Sequence, residues 1–205
     1  MAEIWPAGSE AAHLMLDRLF HTKARISQLA DASPLPAGEQ MDDENNRFKG
    51  YMQARDHANV DSTSRLSPYL AGGVISGRAR VRTAMKTGNI RKLDQHKISG
   101  PVTWMGEVAW RDFYIHIMAA FPRVSMGRPF YEKFDSVKRE NKESYLNAWK
   151  AGRARVPIVD AAMRQCNTQG WMHSRARLIA AEYLTKYLML DWRLGEKMSL
   201  GHLVI

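Results

Sequence analysis

The chain is poor in the features that mark several large classes of protein. It has one cysteine, Cys166, so no disulfide can form within it, and a reducing intracellular setting is expected. No stretch approaches about 18 uncharged apolar residues, which leaves no candidate membrane span. The first residues, MAEIWPAGSE, have neither a basic start nor an apolar run and do not read as a secretory signal. The 7 histidines show no metal spacing, with no HExxH and no CxxC, so no metal site is expected. GxGxxG and Walker-type phosphate loops are missing too. Acidic residues are in deficit: 21 Asp and Glu against 30 Lys and Arg give a formal charge of +9. That excess favours anionic partners, nucleic acid first, although a generic basic surface gives the same count.

What is present is a chain of 205 residues, 45% hydrophobic, enough for one domain with a real core. It has 6 Trp, either core or stacking surface. No period-two strand pattern occurs, whereas helical patterns with proper ends recur, so the expected fold class is all-α. Ser9 is read as the cap of a helix with apolar residues at Ala12, Met15, Leu16, Leu19 and Phe20. Asp31 to Asn46 is rich in Pro, Gly and acids and reads as a loop. Phe48 to Asp56 is expected to be helical. Ser67 and Pro68 read as cap and first residue of a short helix stopped at Gly72-Gly73. Ser76 is read as the cap of a basic helix ending at Gly88. A long helix runs from Pro101 to Pro122, a short one from Ser144 to Lys150, and a third from Pro157 to Gly170. The last is expected to run unbroken from near His173 to about Trp192.

Three stretches have the residue types for chemistry. In STSRLS, Ser62 to Ser67, hydroxyls and one Arg gather at a helix N-terminus, where backbone N–H groups favour anions such as a phosphate or diphosphate. Ordinary capping in a polar loop explains the same residues. In WMGEVAWRDFY, Trp104 to Tyr114, helical spacing puts Trp104, Glu107, Trp110 and Arg111 on one stripe and Met105, Ala109, Phe113 and Ala120 on the opposite one. The first stripe suits a cavity wall with rings for stacking and a carboxylate for hydrogen bonding; the second reads as core. A helix buried between neighbours would serve equally. In GWMHSRAR, Gly170 to Arg177, two arginines beside a helix N-terminus suit a phosphate surface or a solvated basic face.

Together these segments resemble the C-terminal FAD-binding domain of the photolyase/cryptochrome family. The resemblance covers most of the chain, from IWPAGSEAA to about LDWRLGEK. It rests on TSRLSPYL, WMGEVAWRDFY, VPIVDAAMRQ and GWMHSRAR in that order. The details are most similar to class I enzymes that repair cyclobutane pyrimidine dimers. The resemblance implies a cofactor, FAD, held by Tyr51, Thr63, Ser64, Arg65, Leu66, Ser67, Trp104, Arg111 and Trp171. It implies dimer-containing DNA as partner, met by Arg55, Glu107, Trp110, Arg111, Ser174 and Arg175. By the same resemblance Glu107 and Trp110 match the lesion-side catalytic residues, and Trp192 matches the middle member of an electron-relaying Trp chain. The implied reaction is flipping of the dimer out of the duplex and its cleavage by an electron from photoexcited reduced FAD, which then returns. The implied enzyme is a deoxyribodipyrimidine photo-lyase, a monomer, at work in the nucleus of a eukaryote or otherwise in the cytoplasm.

Departures from the family pattern sharpen the alternatives. Ser174 stands where an Asn is usual, Leu178 where Met is frequent, Gly106 where Ser or Asn is usual, and Ala154-Arg155-Val156 precedes Pro157 in place of a TG pair. Arg139 occupies the place of the distal relay Trp. The resemblance also leads us to expect residues 1–205 to form a partial FAD-binding domain, without the antenna domain ahead of it and with the end of the flavin domain missing. Blue-light signalling of the cryptochrome kind and a degenerate DNA-binding remnant stay open beside repair.

Overall fold

A computed structural model describes residues 4–25, 41–92 and 98–203. Most of the loop expected over Asp31 to Asn46 lies outside the described residues. Those described are helical, with no strand beyond isolated antiparallel bridges at Thr22–Met41, Lys23–Asn46 and Arg25–Asp61. None of their helices is long and apolar enough to cross a membrane. The chain divides into two compact units, residues 1–111 and 112–204, with the boundary inside one helix.

In the first unit, α1 (Ser9–His21) buries Ala12, Met15, Leu16, Leu19 and Phe20, the stripe its spacing predicts. Its cap position is Gly8, at φ 99°, and Ser9 is already helical. A left-handed turn that only glycine enters freely therefore starts the helix one residue earlier than a Ser9 cap would. The same one-residue displacement occurs at α3 (Ser67–Ala71), where Leu66 takes the cap position. The helix expected over Phe48 to Asp56 shortens to α2 (Tyr51–Ala54). Ser76 does precede α4 (Gly77–Thr87), which closes on Gly88.

The long helix α5 (Gly100–Ala120) begins on a close backbone approach. A Cβ on Gly100 would overlap the carbonyl oxygens of Phe48 and Lys49. That contact lets Trp104 reach Phe20 and Phe48, with ring centroids 6.3 and 5.8 Å away, both edge-on. Phe20 and Phe48 close the triangle at 4.7 Å. Such pairs add about 0.5–1.5 kcal/mol each beyond burial of their area. The buried face of α5 consists of Trp104, Met105 and Val108. The core stripe expected from sequence is therefore corrected, because Ala109, Phe113 and Ala120 are exposed. The first stripe is divided too: Trp104 is core, while Glu107 and Trp110 face outward.

In the second unit, α6 (Pro122–Ser125) and a 3₁₀ turn at Glu132–Phe134 precede α7 (Glu143–Lys150), α8 (Pro157–Gln169) and α9 (Ser174–Glu182). Trp149 of α7 is buried and donates its indole N–H to the Ala180 carbonyl of α9 at 3.1 Å. The Asp160 carboxylate accepts the N–H groups of Ala154 (2.6 Å) and Arg155 (3.1 Å) and so fixes the turn that enters α8. Gly170, left-handed at φ 63°, ends α8, and His173 caps α9 by accepting the Arg175 N–H at Nδ1. The unbroken last helix does not form. A π-helical turn at Tyr183–Tyr187 is followed by Met189 at φ 51°, and Asp191 caps a new helix, α10 (Trp192–His202), by accepting the Arg193 N–H at 2.9 Å. The aspartate at a cap position outcompetes the continuing apolar periodicity.

Gly100→Ala is expected to lower stability by about 1–3 kcal/mol, the usual cost of overpacking, and the melting temperature by several degrees. Thermal denaturation followed by circular dichroism checks this. An unchanged melting temperature would show that α5 can lift off the 48–49 backbone freely.

Candidate functional site

The anion-binding stretch read from Ser62 to Ser67 is built around a residue that sequence reasoning passed over. Asp61 is 0% exposed and sits among four arginines. Its Oδ2 takes Arg18 and Arg25, the latter also through Nε at 2.8 Å; Arg47 lies 4.0 Å from Oδ2, and Arg65 Nε is 3.2 Å from Oδ1. The backbone joins in: Arg47 Nε donates to the Asp61 carbonyl at 3.0 Å, and the Asp61 N–H donates to the Arg25 carbonyl at 3.1 Å. Burial pushes the Asp61 carboxyl up, but Arg18, Arg65 and Arg25 outweigh it and hold it below its ordinary range. Burial lowers the Arg65 guanidinium to about 10 against the pull of Asp61, so it stays charged at neutral pH. Four arginines thus converge on one carboxylate at the start of Ser62 to Ser67.

This hub shapes the loop. Arg65 takes φ 50° and sends its side chain inward to Asp61. Leu66 is buried, Ser64 half-buried and Ser67 exposed. Arg18 also donates to the Thr63 carbonyl at 3.5 Å. The Thr63 hydroxyl is buried and has no hydrogen-bond partner among the described residues.

From the loop a ring of polar contacts runs through the other expected residues of the first unit. Ser62 Oγ donates to the Ala54 carbonyl in α2 at 2.8 Å. Arg55, just past α2, pairs with Glu107 of α5. Arg111, one turn further along α5, donates to the Leu70 carbonyl of α3 at 3.0 Å, and α3 follows the loop. Tyr51 is buried at the start of α2, and its hydroxyl is raised well above its ordinary value by burial and then by Glu107. Trp110, 54% exposed, offers a ring to a ligand, whereas Trp104, at 2%, offers almost none.

The remaining expected residues belong to the second unit. Trp171 is buried, edge-on to the His173 ring at 6.3 Å. Ser174 and Arg175 open α9 and are exposed, on the face that also carries Leu178. Trp192 opens α10, half-buried, with the Arg193 guanidinium 5.0 Å above its ring. Arg139 donates to the Thr185 carbonyl in the π turn at 3.2 Å. Arg18, Arg25, Arg47 and Asp61 were missed by the sequence reading. One signal was available: Arg18, three residues after Met15, falls on the apolar stripe of α1, where a charge needs a buried partner.

Residues 104–204 match the protein family described as the FAD binding domain of DNA photolyase. The chain is 40% identical over 201 residues to a deoxyribodipyrimidine photo-lyase of Neurospora crassa, covering 98% of this chain and 29% of that one. It is 39% identical over 182 residues to the Escherichia coli protein of the same name, covering 89% and 35%. Among solved structures it is similar to a bacterial class III photolyase from Agrobacterium tumefaciens, with TM-score 0.78 and 31% identity over 99% of this chain and 36% of that one. The fold also matches a Synechocystis cryptochrome at TM-score 0.70 and 22% identity, over 97% and 36%. The chain thus spans about a third of the length of these relatives.

Asp61→Asn is expected to cost about 3–5 kcal/mol, because it removes the buried negative charge against which Arg18, Arg25 and Arg65 are paired. The depressed carboxyl stabilises the fold fully above the unfolded Asp value of about 4, and that stability is lost as pH falls through the lower folded value. Urea unfolding between pH 7 and pH 2 checks both points. A wild-type acid limb no steeper than that of the Asn variant would remove Asp61 as the keystone.

Proposed function

The chain belongs to the DNA photolyase/cryptochrome family, and on that premise we propose that it binds FAD and serves light-dependent repair of cyclobutane pyrimidine dimers in DNA. The observation that carries the reading is the placement of a solvent-exposed carboxylate, Glu107, and a solvent-exposed indole, Trp110, on one face of α5, in the same unit as the loop Ser62 to Ser67. One supplies hydrogen-bond acceptors for a base edge and the other a stacking surface.

The loop suits a diphosphate. The buried Thr63 hydroxyl lacks a partner among the described residues, Ser64 and Ser67 add hydroxyls, and the arginines around Asp61 gather guanidinium groups beside them. Arg65 acts from within, through its charge and its backbone, with its guanidinium committed to Asp61; Leu66 closes the loop against the core. Tyr51 and Arg111 complete the proposed cofactor contacts of this unit, with Trp104 supporting them from the core; in the second unit Trp171 is the proposed cofactor contact on the strength of the family resemblance. Held by these residues, reduced FAD would supply light-driven transfer of an electron to the dimer and take it back after the ring has split. The residues do the rest: Glu107 hydrogen-bonds the pyrimidine edge and steadies charge developing there, and Trp110 packs against the flipped bases. Arg55, Arg111, Ser174 and Arg175 are the proposed DNA contacts, and Trp192 the proposed relay residue. We assign the activity to a monomer in the nucleus of a eukaryote or otherwise in the cytoplasm.

Signalling without repair is the second reading, favoured by Arg139, which occupies the distal relay place and binds the Thr185 carbonyl. The visible spectrum of the purified protein and its light-dependent repair of a dimer-containing oligonucleotide decide. Flavin bands with repair are expected, and Glu107→Ala should slow repair about 10- to 100-fold, the loss of one charged hydrogen bond. Flavin bands with no repair would decide for signalling, and a colourless, inactive protein would overturn both readings.

A further inference from the structure

The carboxylate assigned to the lesion is already engaged. Glu107 pairs with Arg55, whose alternative partner, Asp56, stands 4.0 Å from its Nε. The pair is no buried structural bridge, for the Arg55 side chain is 33% exposed and that of Glu107 45%. Ion pairs open to solvent contribute little to stability and exchange readily. Both ends are nevertheless well placed. Arg55 is fixed at the end of α2 by its N–H bond to the Tyr51 carbonyl at 2.9 Å, and α2 is tied to the loop by Ser62. Glu107 projects from a helix anchored by Trp104 beneath it and by Arg111 one turn on.

DNA offers Arg55 a competing partner. A phosphate oxygen pairs with guanidinium as well as a carboxylate does, often through two parallel hydrogen bonds. An uncompensated carboxylate on this face would meanwhile repel the polyanion. We propose that Arg55 exchanges partners on binding, leaving Glu107 for a backbone phosphate, so that the carboxylate becomes available to a base only once the DNA backbone is engaged. This rests on the function proposed above, because it is there that Glu107 needs to be free. Arg55 is thus a positioning residue for Glu107 as well as a DNA contact. The device confers selectivity: in the free protein the acceptor that would bind stray donors is masked.

The test is a double-mutant cycle on binding of an undamaged, fluorescently labelled DNA duplex, measured in the dark by anisotropy. Glu107→Gln should tighten binding about two- to fivefold by freeing Arg55. In an Arg55→Ala background, or Arg55→Met if the alanine variant folds poorly, the same change should give a clearly smaller gain. Arg55→Ala should also make the salt dependence shallower by about one unit of log–log slope, the mark of one lost phosphate contact. Equal gains from Glu107→Gln with and without Arg55 would reduce the effect to removal of a negative charge and overturn the exchange. No gain at all, or an unchanged salt slope, would overturn it as well. Repair assayed on the same preparations separates the two ideas: repair with a null cycle removes only the exchange, and an intact cycle without repair removes only the lesion role of Glu107.

Discussion

One buried carboxylate organises the first unit. Asp61 has no access to water and is surrounded by Arg18 from α1, Arg25, Arg47 and Arg65, which brings separate stretches of chain to one point. A lone buried arginine would be prohibitively costly, and four would repel one another. The carboxylate makes the burial of Arg18, Arg47 and Arg65 tolerable, with Arg25 half-buried beside them, and the arginine charge in turn keeps it ionised.

The functional surface inherits its geometry from that point. Arg65 must turn inward to reach Asp61, and this sets the left-handed kink inside the Ser62 to Ser67 loop. The loop then holds α2 through Ser62, α2 places Arg55, Arg55 meets Glu107, and Arg111 returns α5 to α3. Each link is a single hydrogen bond or ion pair of modest worth. Closed into a ring and backed by the Phe20–Phe48–Trp104 cluster, they fix α5 with its carboxylate and one indole outward. The Arg55–Glu107 pair on α5 bears on one problem, how a basic protein presents an acid to a polyanion.

Legibility followed the range of the forces involved. The α1 stripe, the close of α8 at Gly170 and the position of Ser76 depend on local spacing and turn preference, and they were read correctly. The break after Tyr187 was missed because apolar periodicity continues through it, while Met189 and the Asp191 cap redirect the backbone. The α5 stripes were misassigned for a different reason. Periodicity gives the angle between side chains, but where the helix touches the rest of its unit is set by Gly100 lying on the 48–49 backbone. That contact turns Trp104, Met105 and Val108 inward and leaves Ala109 and Phe113 out.

The amino-acid order by itself determined the all-α class, most helix positions, the basic character and the family, because these are written in local periodicity, in end signals and in four contiguous motifs. Only the tertiary structure decided which charges are buried and which partner each one takes. Arg65 reads as a surface donor in TSRLS and folds into an internal strut; Glu107 reads as a free carboxylate and is held by Arg55. The physical reason is that a charge is defined by its solvation and its counter-charge. For Glu107 the counter-charge, Arg55, lies far off in sequence, as Arg18 does for Asp61; Arg65 meets Asp61 within four residues, but the burial of that pair is set by Arg18, Arg25 and Arg47 from other stretches of chain.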